Sequence, residues 1–226
     1  MRKLLVIGIG TGNPQHMTFQ AVEAMNTADI VLIPRKGAAK ADLAGLRRDI
    51  CERFLTSTKT RIVEFDLPVR DASGDYRVGV GDWHQAIADT YLDILEREIG
   101  ADGSAAMLVW GDPSLYDSTL RIIERMQASA ATQFKTVVIP GITSIQALCA
   151  SHAIPLNRIG DPVLITTSRR LRDGFPAGVR DVIVMLDGEC GFQNLKGQGL
   201  DHGCVSTKGR TIAFVKSGWR KCLPNC

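Results

Sequence analysis

The strongest constraint on the fold is a regular alternation of short apolar runs with longer amphipathic segments. Apolar runs stand at Leu4–Ile9, Ser104–Trp110 and Val182–Leu186. Segments between them, such as Asp42–Leu55 and His84–Ile99, repeat apolar residues at the spacing of a helix. Strands that are separated by helices pair in parallel through right-handed crossovers. The alternation therefore predicts an α/β protein.

Further elements follow from the same two periodicities and from the turn residues between them. Pro34 is expected to end a short strand, and the polar segment Asp71–Asp82 is expected to form a loop. The remaining strands are predicted at Asp29–Ile33, Arg61–Phe65, Thr136–Ile139 and Pro162–Thr166, and the remaining helices at Phe19–Asn26, Thr119–Ala130 and Ile145–His152. Thr18 is placed to cap the first of these helices.

Charge and composition exclude several classes of protein. The net charge is +3, and residues 201–226 hold five basic side chains against Asp201 alone, so the main body has no basic bias toward nucleic acid. No apolar stretch is long enough to cross a bilayer, and the first residues lack a signal-peptide cleavage site. We therefore expect a cytoplasmic protein with no nucleic-acid or membrane partner.

Metal-ligand spacing is absent from the chain. The four histidines form no paired motif, and the cysteines that crowd the end of the chain lack the spacing of a zinc site. We therefore predict that the protein binds no metal. Structural disulfides are not expected in a cytoplasmic chain.

The first apolar run ends in the glycine cluster "GIGTGNP", which two nucleotide-binding motifs fail to explain. Asn13 stands where the dinucleotide fingerprint needs its last glycine, and Pro34 follows the second strand where an acidic residue is needed. No Gly-Lys-Ser/Thr follows, so a P-loop is excluded as well. By itself the cluster is typical of a tight turn from strand to helix.

Two further strand ends carry residues that can serve either a turn or a ligand. In "WGDPSLY", Asp112 follows a buried strand, where open α/β sheets bind ligands, but it can equally cap the next helix. In "PGITS", Thr143 and Ser144 stand at a predicted helix start, where hydroxyls can cap the helix or bind a ligand. The residues themselves leave both alternatives open.

Basic residues cluster after two predicted strands. Arg35, Lys36, Lys40, Arg47 and Arg48 follow the second strand, and a shorter group lies near residue 170. Each cluster alone is typical of a solvated surface. Together at one edge they would favour an acid with several carboxylates, because guanidinium groups pair with carboxylates through two hydrogen bonds.

In chain order, five segments resemble the tetrapyrrole methylases, the S-adenosylmethionine-dependent enzymes of corrin and sirohaem synthesis. The segments are "GIGTGNPQHMT", "ADIVLIP", "GDPSLY", "PGITS" and "VIVML", and together they span Leu4 to about Gln193. Within the family, "IPRKGAAKADL" and "MLDGEC" look most like the branch that methylates C1 of precorrin-5 and releases acetate to give precorrin-6A.

The resemblance implies two α/β domains, 1–112 and 113–226, with S-adenosylmethionine bound in a cleft between them and a homodimer as the assembly. Tetrapyrrole substrate contacts are expected on the first domain at Gly10, Arg35 and Lys36, and also at Arg169 and Arg170. The implied cofactor contacts are Thr11, Trp110, Gly111, Asp112, Leu115, Thr143, Ser144 and Met185.

The resemblance has one departure that bears on catalysis. Some relatives carry an aspartate where "ADIVLIP" has Pro34, so no general base is transferred to this chain. Methylation needs mainly positioning and desolvation, because a sulfonium already activates its methyl group. Loss of the acetyl group as acetate needs water, and Asp112 and Tyr116 are candidates for assisting it by their location alone.

The end of the chain departs from the family pattern. Residues 201–226 are atypical. With suitable wobble bases, reading Asp201–Ala213 one base later can spell a family-like sequence, which suggests a frameshifted or truncated end. If these residues are genuine, we expect the second sheet to lack its closing strands. Two alternatives stay open: a methylase of the same fold that acts on another precorrin, on ribosomal RNA or on a protein, and an inactive remnant that still binds the cofactor.

Overall fold

The computed structural model of the chain describes residues 1–35, 41–69, 76–129, 133–171, 174–179, 181–187, 200–207 and 210–217. The chain divides into two compact units, Met1–Ile142 and Thr143–Cys226. Each unit contains its own sheet.

The first unit is built on a five-stranded parallel sheet with the strand order β3-β2-β4-β1-β5. All five strands coincide with apolar runs of the sequence, as the alternation predicts. Their bounds are Arg2–Gly8 for β1, Ile30–Arg35 for β2, Arg61–Asp66 for β3, Ser104–Val109 for β4 and Phe134–Ile139 for β5.

Helices cover both faces of this sheet. Successive residues of β1 point to opposite faces, so Leu4 packs in the core with α3 and α4, whereas Leu5 packs with α1 and α2. Thr18 caps α1 as its sequence predicts, because its hydroxyl accepts the amide of Ala21 at 3.1 Å. The helix bounds are Phe19–Thr27 for α1, Ala41–Phe54 for α2, Tyr76–Glu98 for α3 and Thr119–Ser129 for α4, with a short 3-10 helix at Pro14–His16.

Two boundaries in this unit differ from those that the sequence predicted. Strand β2 continues through Pro34 to Arg35, because its ladder with β4 has already ended at Leu32 and a proline is tolerated where a strand lacks a neighbour on one side. Helix α3 begins at Tyr76, inside the segment predicted as a loop. The predicted loop end was wrong because the Trp83 side chain packs on the core and donates to the Pro68 carbonyl at 2.7 Å, contacts that no local periodicity reveals.

The second unit contains a four-stranded mixed sheet with the order β6-β7-β9-β8. Strands β6 and β7 are parallel, and β9 pairs antiparallel with both β7 and β8. The bounds are Ser144–Ser151 for α5, Val163–Thr167 for β6, Ser168–Leu171 for α6, Asp181–Met185 for β7, Leu200–Thr207 for β8 and Arg210–Ser217 for β9.

The hairpin of β8 and β9 corrects the expectation for the end of the chain. That expectation, a second sheet without closing strands, is wrong: β9 pairs with β7 from Asp181 to Val184. The segment escaped recognition because its glycine, lysine and cysteine residues interrupt the alternation of a strand, and the pairing with β7 is a long-range interaction.

The division between the units also lies later in the chain than the boundary drawn from the sequence between Asp112 and Pro113. Helix α4 and strand β5 belong to the first unit, which ends at Ile142. The reason is topological, because β5 pairs with β1 along its whole length, from Arg2 to Ile7.

Candidate functional site

Three loops of the first unit are joined through their backbones at the carboxyl edge of its sheet. The Gly111 amide donates to the Gly10 carbonyl at 2.7 Å, and the Gly10 amide donates to the Gly111 carbonyl at 3.3 Å. This antiparallel bridge connects the loop after β1 to the loop after β4. Ligands of open α/β sheets bind at this edge, so the bridge fixes two of the predicted ligand loops to each other.

The third loop, which follows β5, approaches the other two so closely that it tolerates only glycine. A Cβ atom built on Gly141 would lie 2.1 Å from the Gly111 carbonyl oxygen and 2.8 Å from backbone atoms of Gly8. Real Cβ atoms do not make such contacts with backbone. We call Gly8, Gly10, Gly111 and Gly141 the glycine joint.

Asp112 reinforces the glycine joint. Its carboxylate accepts hydrogen bonds from the Gly141 amide at 2.9 Å, the Ser114 amide at 2.8 Å and the Ser114 hydroxyl at 2.5 Å. Burial alone would raise the pKa of Asp112, but the hydrogen bonds from Ser114 and Gly141 outweigh it, so the pKa lies below its ordinary value. The group is therefore an anion that holds the loops together at neutral pH.

The loop after β1 is packed by its own neighbours. Thr11 is 5% exposed, and its hydroxyl lies 3.0 Å from Nδ1 of His16. The Trp110 ring covers Gly12, where an added Cβ would lie 2.9 Å from the indole. Gly10 has a φ of +73°, and a Cβ there would lie 2.6 Å from Cβ of His16. His16 is thus a loop-forming residue that the sequence reasoning passed over, because a lone histidine carries no motif.

The loop after β4 presents an aromatic side chain in a strained conformation. Tyr116 has a φ of +51° and is 40% exposed, while Leu115 is half-buried and donates its amide to the Asp112 carbonyl at 3.2 Å. Partial burial raises the pKa of the Tyr116 phenol, so the group is a neutral donor at physiological pH. Its predicted role in catalysis stays a prediction.

The remaining predicted residues of the second unit lie near strand or helix ends. Thr143 is the N-cap of α5, with its amide donating to Oε1 of Gln146 at 2.9 Å, and Ser144 is the first residue of that helix. Met185 is the last residue of β7 and is buried. Arg169 and Arg170, the predicted substrate contacts, are exposed on α6 directly after β6. These placements are what the strand-end reasoning expects, and the ligand roles stay predictions.

Acidic side chains of β3 pair with the basic cluster that follows β2. Arg35 lies 2.9 Å from Asp66, and the two guanidinium nitrogens of Arg48 lie 2.5 and 2.8 Å from the carboxylate of Glu64. Both pairs are at the surface, where an ion pair contributes little and can be exchanged for another acid. Lys36, also predicted to contact substrate, lies outside the described residues.

The sequence reasoning missed a cavity in the first unit, beside the ends of β2 and β4. Pro34, Arg47, Tyr91 and Asp117 are among its lining residues. In the sequence, Tyr91 is one position of the amphipathic segment His84–Ile99, and Arg47 belongs to the basic cluster that fits either a solvated surface or an acidic ligand. We call this space the Tyr91 cavity. The sequence could not predict it, because its lining residues come from separate parts of the chain that share no motif.

Other classes of site find no support among the residues that the structure describes. Within them, no group of three or more His, Cys, Asp and Glu side chains is placed to hold a metal ion. No described helix is long and apolar enough to cross a membrane.

Comparison with known proteins identifies relatives for the whole arrangement. A family model of the tetrapyrrole (corrin/porphyrin) methylases matches residues 3–220. A precorrin-6A synthase [deacetylating] of Sinorhizobium sp is 56% identical over 197 residues, which are 87% of this chain and 76% of that protein. A precorrin-2 C(20)-methyltransferase of Sinorhizobium sp is 31% identical over 168 residues, 72% of this chain and 62% of that protein.

Solved structures agree with these sequence matches. A cobalamin synthesis related protein (CobF) from Corynebacterium diphtheriae superposes with a TM-score of 0.75 at 34% identity, covering 96% of this chain and 86% of that one. The methyltransferase CobJ shares the fold, with a TM-score of 0.60 at 15% identity and coverage of 96% and 95%. The family model also reaches residue 220, which corrects the expectation that the resemblance ends at Leu200.

Proposed function

Because this chain belongs to the tetrapyrrole (corrin/porphyrin) methylase family, we propose that it transfers the methyl group of S-adenosylmethionine to C1 of precorrin-5, with release of acetate, to give precorrin-6A. The observation that carries the substrate assignment is the 56% identity to a deacetylating precorrin-6A synthase over 87% of the chain. The 31% identity to a methylase of another precorrin is a much weaker match.

The residues of the first unit fit the proposed cofactor chemically. The glycines let the three loops approach one another closely, the Thr11 hydroxyl lies beside His16, and the Trp110 indole lies against Gly12. Asp112 adds a negative charge, opposite in sign to a sulfonium. Thr143, Ser144 and Met185 of the second unit complete the proposed set of contacts.

The chemistry asks little of the protein beyond orientation and exclusion of water. S-adenosylmethionine supplies an activated methyl group when it is bound. The glycine joint holds three loops in one arrangement, and such preorganised positioning lowers a barrier without a general base. For the acidic arms of the tetrapyrrole we propose Arg35, exposed at the end of β2, and Arg169 and Arg170, exposed after β6.

The direct test is an assay of the purified chain with S-adenosylmethionine and precorrin-5. We expect precorrin-6A, S-adenosylhomocysteine and acetate in equal amounts. Parallel reactions with precorrin-2 and with ribosomal RNA test the alternative substrates. In the same preparation, saturating S-adenosylhomocysteine should raise the melting temperature, because a ligand that binds only the folded state stabilises it.

The outcomes separate the hypotheses. Folded protein that binds S-adenosylhomocysteine but methylates neither the precorrins nor ribosomal RNA would identify an inactive remnant. Conversion of precorrin-2 alone would refute the precorrin-5 assignment and keep the family. We further propose a cytoplasmic homodimer without a nucleic-acid partner; a monomer in size-exclusion chromatography with light scattering would contradict the dimer.

A further inference from the structure

The Tyr91 cavity lies within the first unit, between the sheet and two helices that cover it. Four of its lining residues are apolar and buried: Leu32 of β2, Met107 of β4, Ile87 of α3 and Ile122 of α4 are each at most 4% exposed. The cavity volume is about 90 Å³. One water molecule needs about 10–15 Å³ on the same scale, so the space accommodates several waters or a group of a few heavy atoms.

Polar groups line the same cavity from three parts of the chain. Tyr91 of α3 is 8% exposed, and among the described residues its hydroxyl has no hydrogen-bond partner. Arg47 of α2 donates from Nε to the Leu108 carbonyl at 2.9 Å. Asp117 precedes α4, and its carboxylate accepts the Thr119 amide at 2.7 Å. A buried phenol that faces a cavity is suited to donate a hydrogen bond to whatever enters.

The charges of the cavity favour a neutral occupant. Among the described residues that line it, Arg47 is the cation and Asp117 the anion, so a carboxylate would meet repulsion as well as attraction. Burial raises the pKa of the Tyr91 phenol; Arg47 lowers it and Asp117 raises it further, and the net shift is upward. Tyr91 therefore stays protonated. A neutral ligand with one oxygen acceptor and a methyl group therefore matches this lining better than a carboxylate does.

We propose that the Tyr91 cavity receives the acetyl group that the substrate loses. The Tyr91 hydroxyl donates to the acetyl oxygen, and the four buried apolar side chains of the lining contact the acetyl methyl. This inference rests on the proposed deacetylating methylation. It assigns Tyr91 as a catalytic residue for the release of the acetyl group, the step that a simple methyl transfer lacks.

The step balances with water as the co-reactant. A water oxygen forms a bond to the acetyl carbon, and the bond from that carbon to C1 of the macrocycle breaks. The electron pair of the broken bond remains on C1 and then forms a bond to the methyl carbon of S-adenosylmethionine. The bond from that methyl to sulfur breaks, and S-adenosylhomocysteine leaves. Acetate departs and both water protons are released. Tyr91 stabilises negative charge on the acetyl oxygen, and the Asp117 carboxylate is the acceptor in the cavity for the first water proton.

The test is Tyr91→Phe in the full chain, with acetate and S-adenosylhomocysteine measured separately. We expect acetate release and methyl transfer to fall together by about 100-fold, because loss of one donor to a developing oxyanion has that effect. Binding of S-adenosylhomocysteine should be unchanged. Asp117→Asn keeps an acceptor for the Thr119 amide but removes the carboxylate that takes the water proton, so it should also slow acetate release.

Thr90→Val is the matched control. Thr90 also lies on α3, and its hydroxyl bonds within the helix to the Ala86 carbonyl at 2.8 Å, so the change deletes a hydroxyl outside the cavity lining. Its activity should equal that of the unmodified protein. Acetate release by Tyr91→Phe within about 3-fold of the control would overturn the proposal, since even one neutral hydrogen bond exceeds that factor in a transition state.

A binding experiment separates failure of this proposal from failure of the proposed function. Acetone, a methyl ketone, is titrated into protein with ¹³C-labelled methionine methyls, with Met107 as the reporter inside the cavity and Met25, in the core on the opposite face of the sheet, as the reference. We expect acetone to shift Met107 and leave Met25 unchanged, with a smaller effect in Tyr91→Phe. A larger shift with acetate than with acetone, or none with acetone, would overturn the proposal even if the chain converts precorrin-5.

Discussion

The glycine joint and the Tyr91 cavity lie at the same sheet edge but are built in opposite ways. In the joint, backbone meets backbone: the Gly10 and Gly111 peptides pair directly, and side chains are excluded. In the cavity, residues of five helices and strands, β2, β4, α2, α3 and α4, surround an open space. The joint therefore fixes loop positions, whereas the cavity provides chemical groups.

This difference predicts how each region responds to mutation. A single added methyl in the joint collides with backbone that cannot move without shifting a whole loop. A changed side chain in the cavity meets open space, so it alters chemistry more than folding. Stability measurements should separate the two regions.

The largest effect is expected for Gly141→Ala. Its Cβ would lie 2.1 Å from the Gly111 carbonyl oxygen, so a loop must shift, and we expect a loss of at least about 3 kcal/mol in the free energy of unfolding. Denaturant unfolding measures it. The matched control is Gly45→Ala in α2, where no atom lies within 4 Å and the better helix propensity of alanine should stabilise the protein by about 0.5–1 kcal/mol. Equal effects of the two substitutions would refute the joint.

Gly10→Val tests the positive φ in the same joint. Valine is strained at a φ of +73°, and its Cβ would lie 2.6 Å from Cβ of His16. Because His16 belongs to the same loop as Gly10, its part of that loop can shift without disturbing the other two loops, and we expect a smaller loss of about 1–3 kcal/mol. The affinity for S-adenosylhomocysteine should fall as well, measured by calorimetry. Unchanged stability, affinity and methyl transfer would reduce the loop to an ordinary turn.

Asp112→Asn tests the carboxylate that links two loops of the joint. An amide donor replaces one acceptor oxygen, so one of the amides of Ser114 or Gly141 loses its partner, at a cost of about 1–2 kcal/mol. The pKa of Asp112 is lowered in the folded state, so its stabilisation is present above the ordinary value of 3.8 and is lost as the pH falls through the lower folded value. The stability difference between the two proteins should therefore shrink in acid; a difference independent of pH would contradict this role.

The smallest effect is expected at Arg48, the neighbour of the cavity residue Arg47. Glu64→Gln removes the charge that pairs with the exposed Arg48, and we expect a slight fall in melting temperature that disappears at about 1 M salt. A large loss that persists in salt would mean that the cluster is not a solvated surface. The contrast between these two adjacent arginines sharpens the distinction between surface charge and cavity chemistry.

Strand ends and their glycines could be predicted because they depend on local patterns. The apolar runs became β1 and β4 nearly to the residue, and Thr18 capped α1 as expected. Residues predicted for the site at Gly10, Gly111 and Asp112 do come together, because parallel strands bring their carboxyl ends to one edge. Their ligand roles stay predictions.

The failures share a different cause, since each depends on contacts between distant parts of the chain. Helix α3 begins at Tyr76 and is supported by Trp83 binding to Pro68, and β9 forms where β7 offers an edge. Pro34 remains in β2 because the neighbouring ladder has ended at Leu32. None of these contacts produces a periodic pattern of apolar residues in the local sequence.

By itself the sequence determined the α/β class, the order of the strands along the chain, the glycines at their ends and the family. Only the tertiary structure decided why Gly141 must be a glycine, that Arg48 is paired while Arg47 enters a cavity, and that Tyr91 and Asp117 line that cavity together. The physical reason is range: periodicity and turn chemistry act within a few residues, whereas close backbone approach and a shared cavity arise only when strands and helices far apart in the chain are packed.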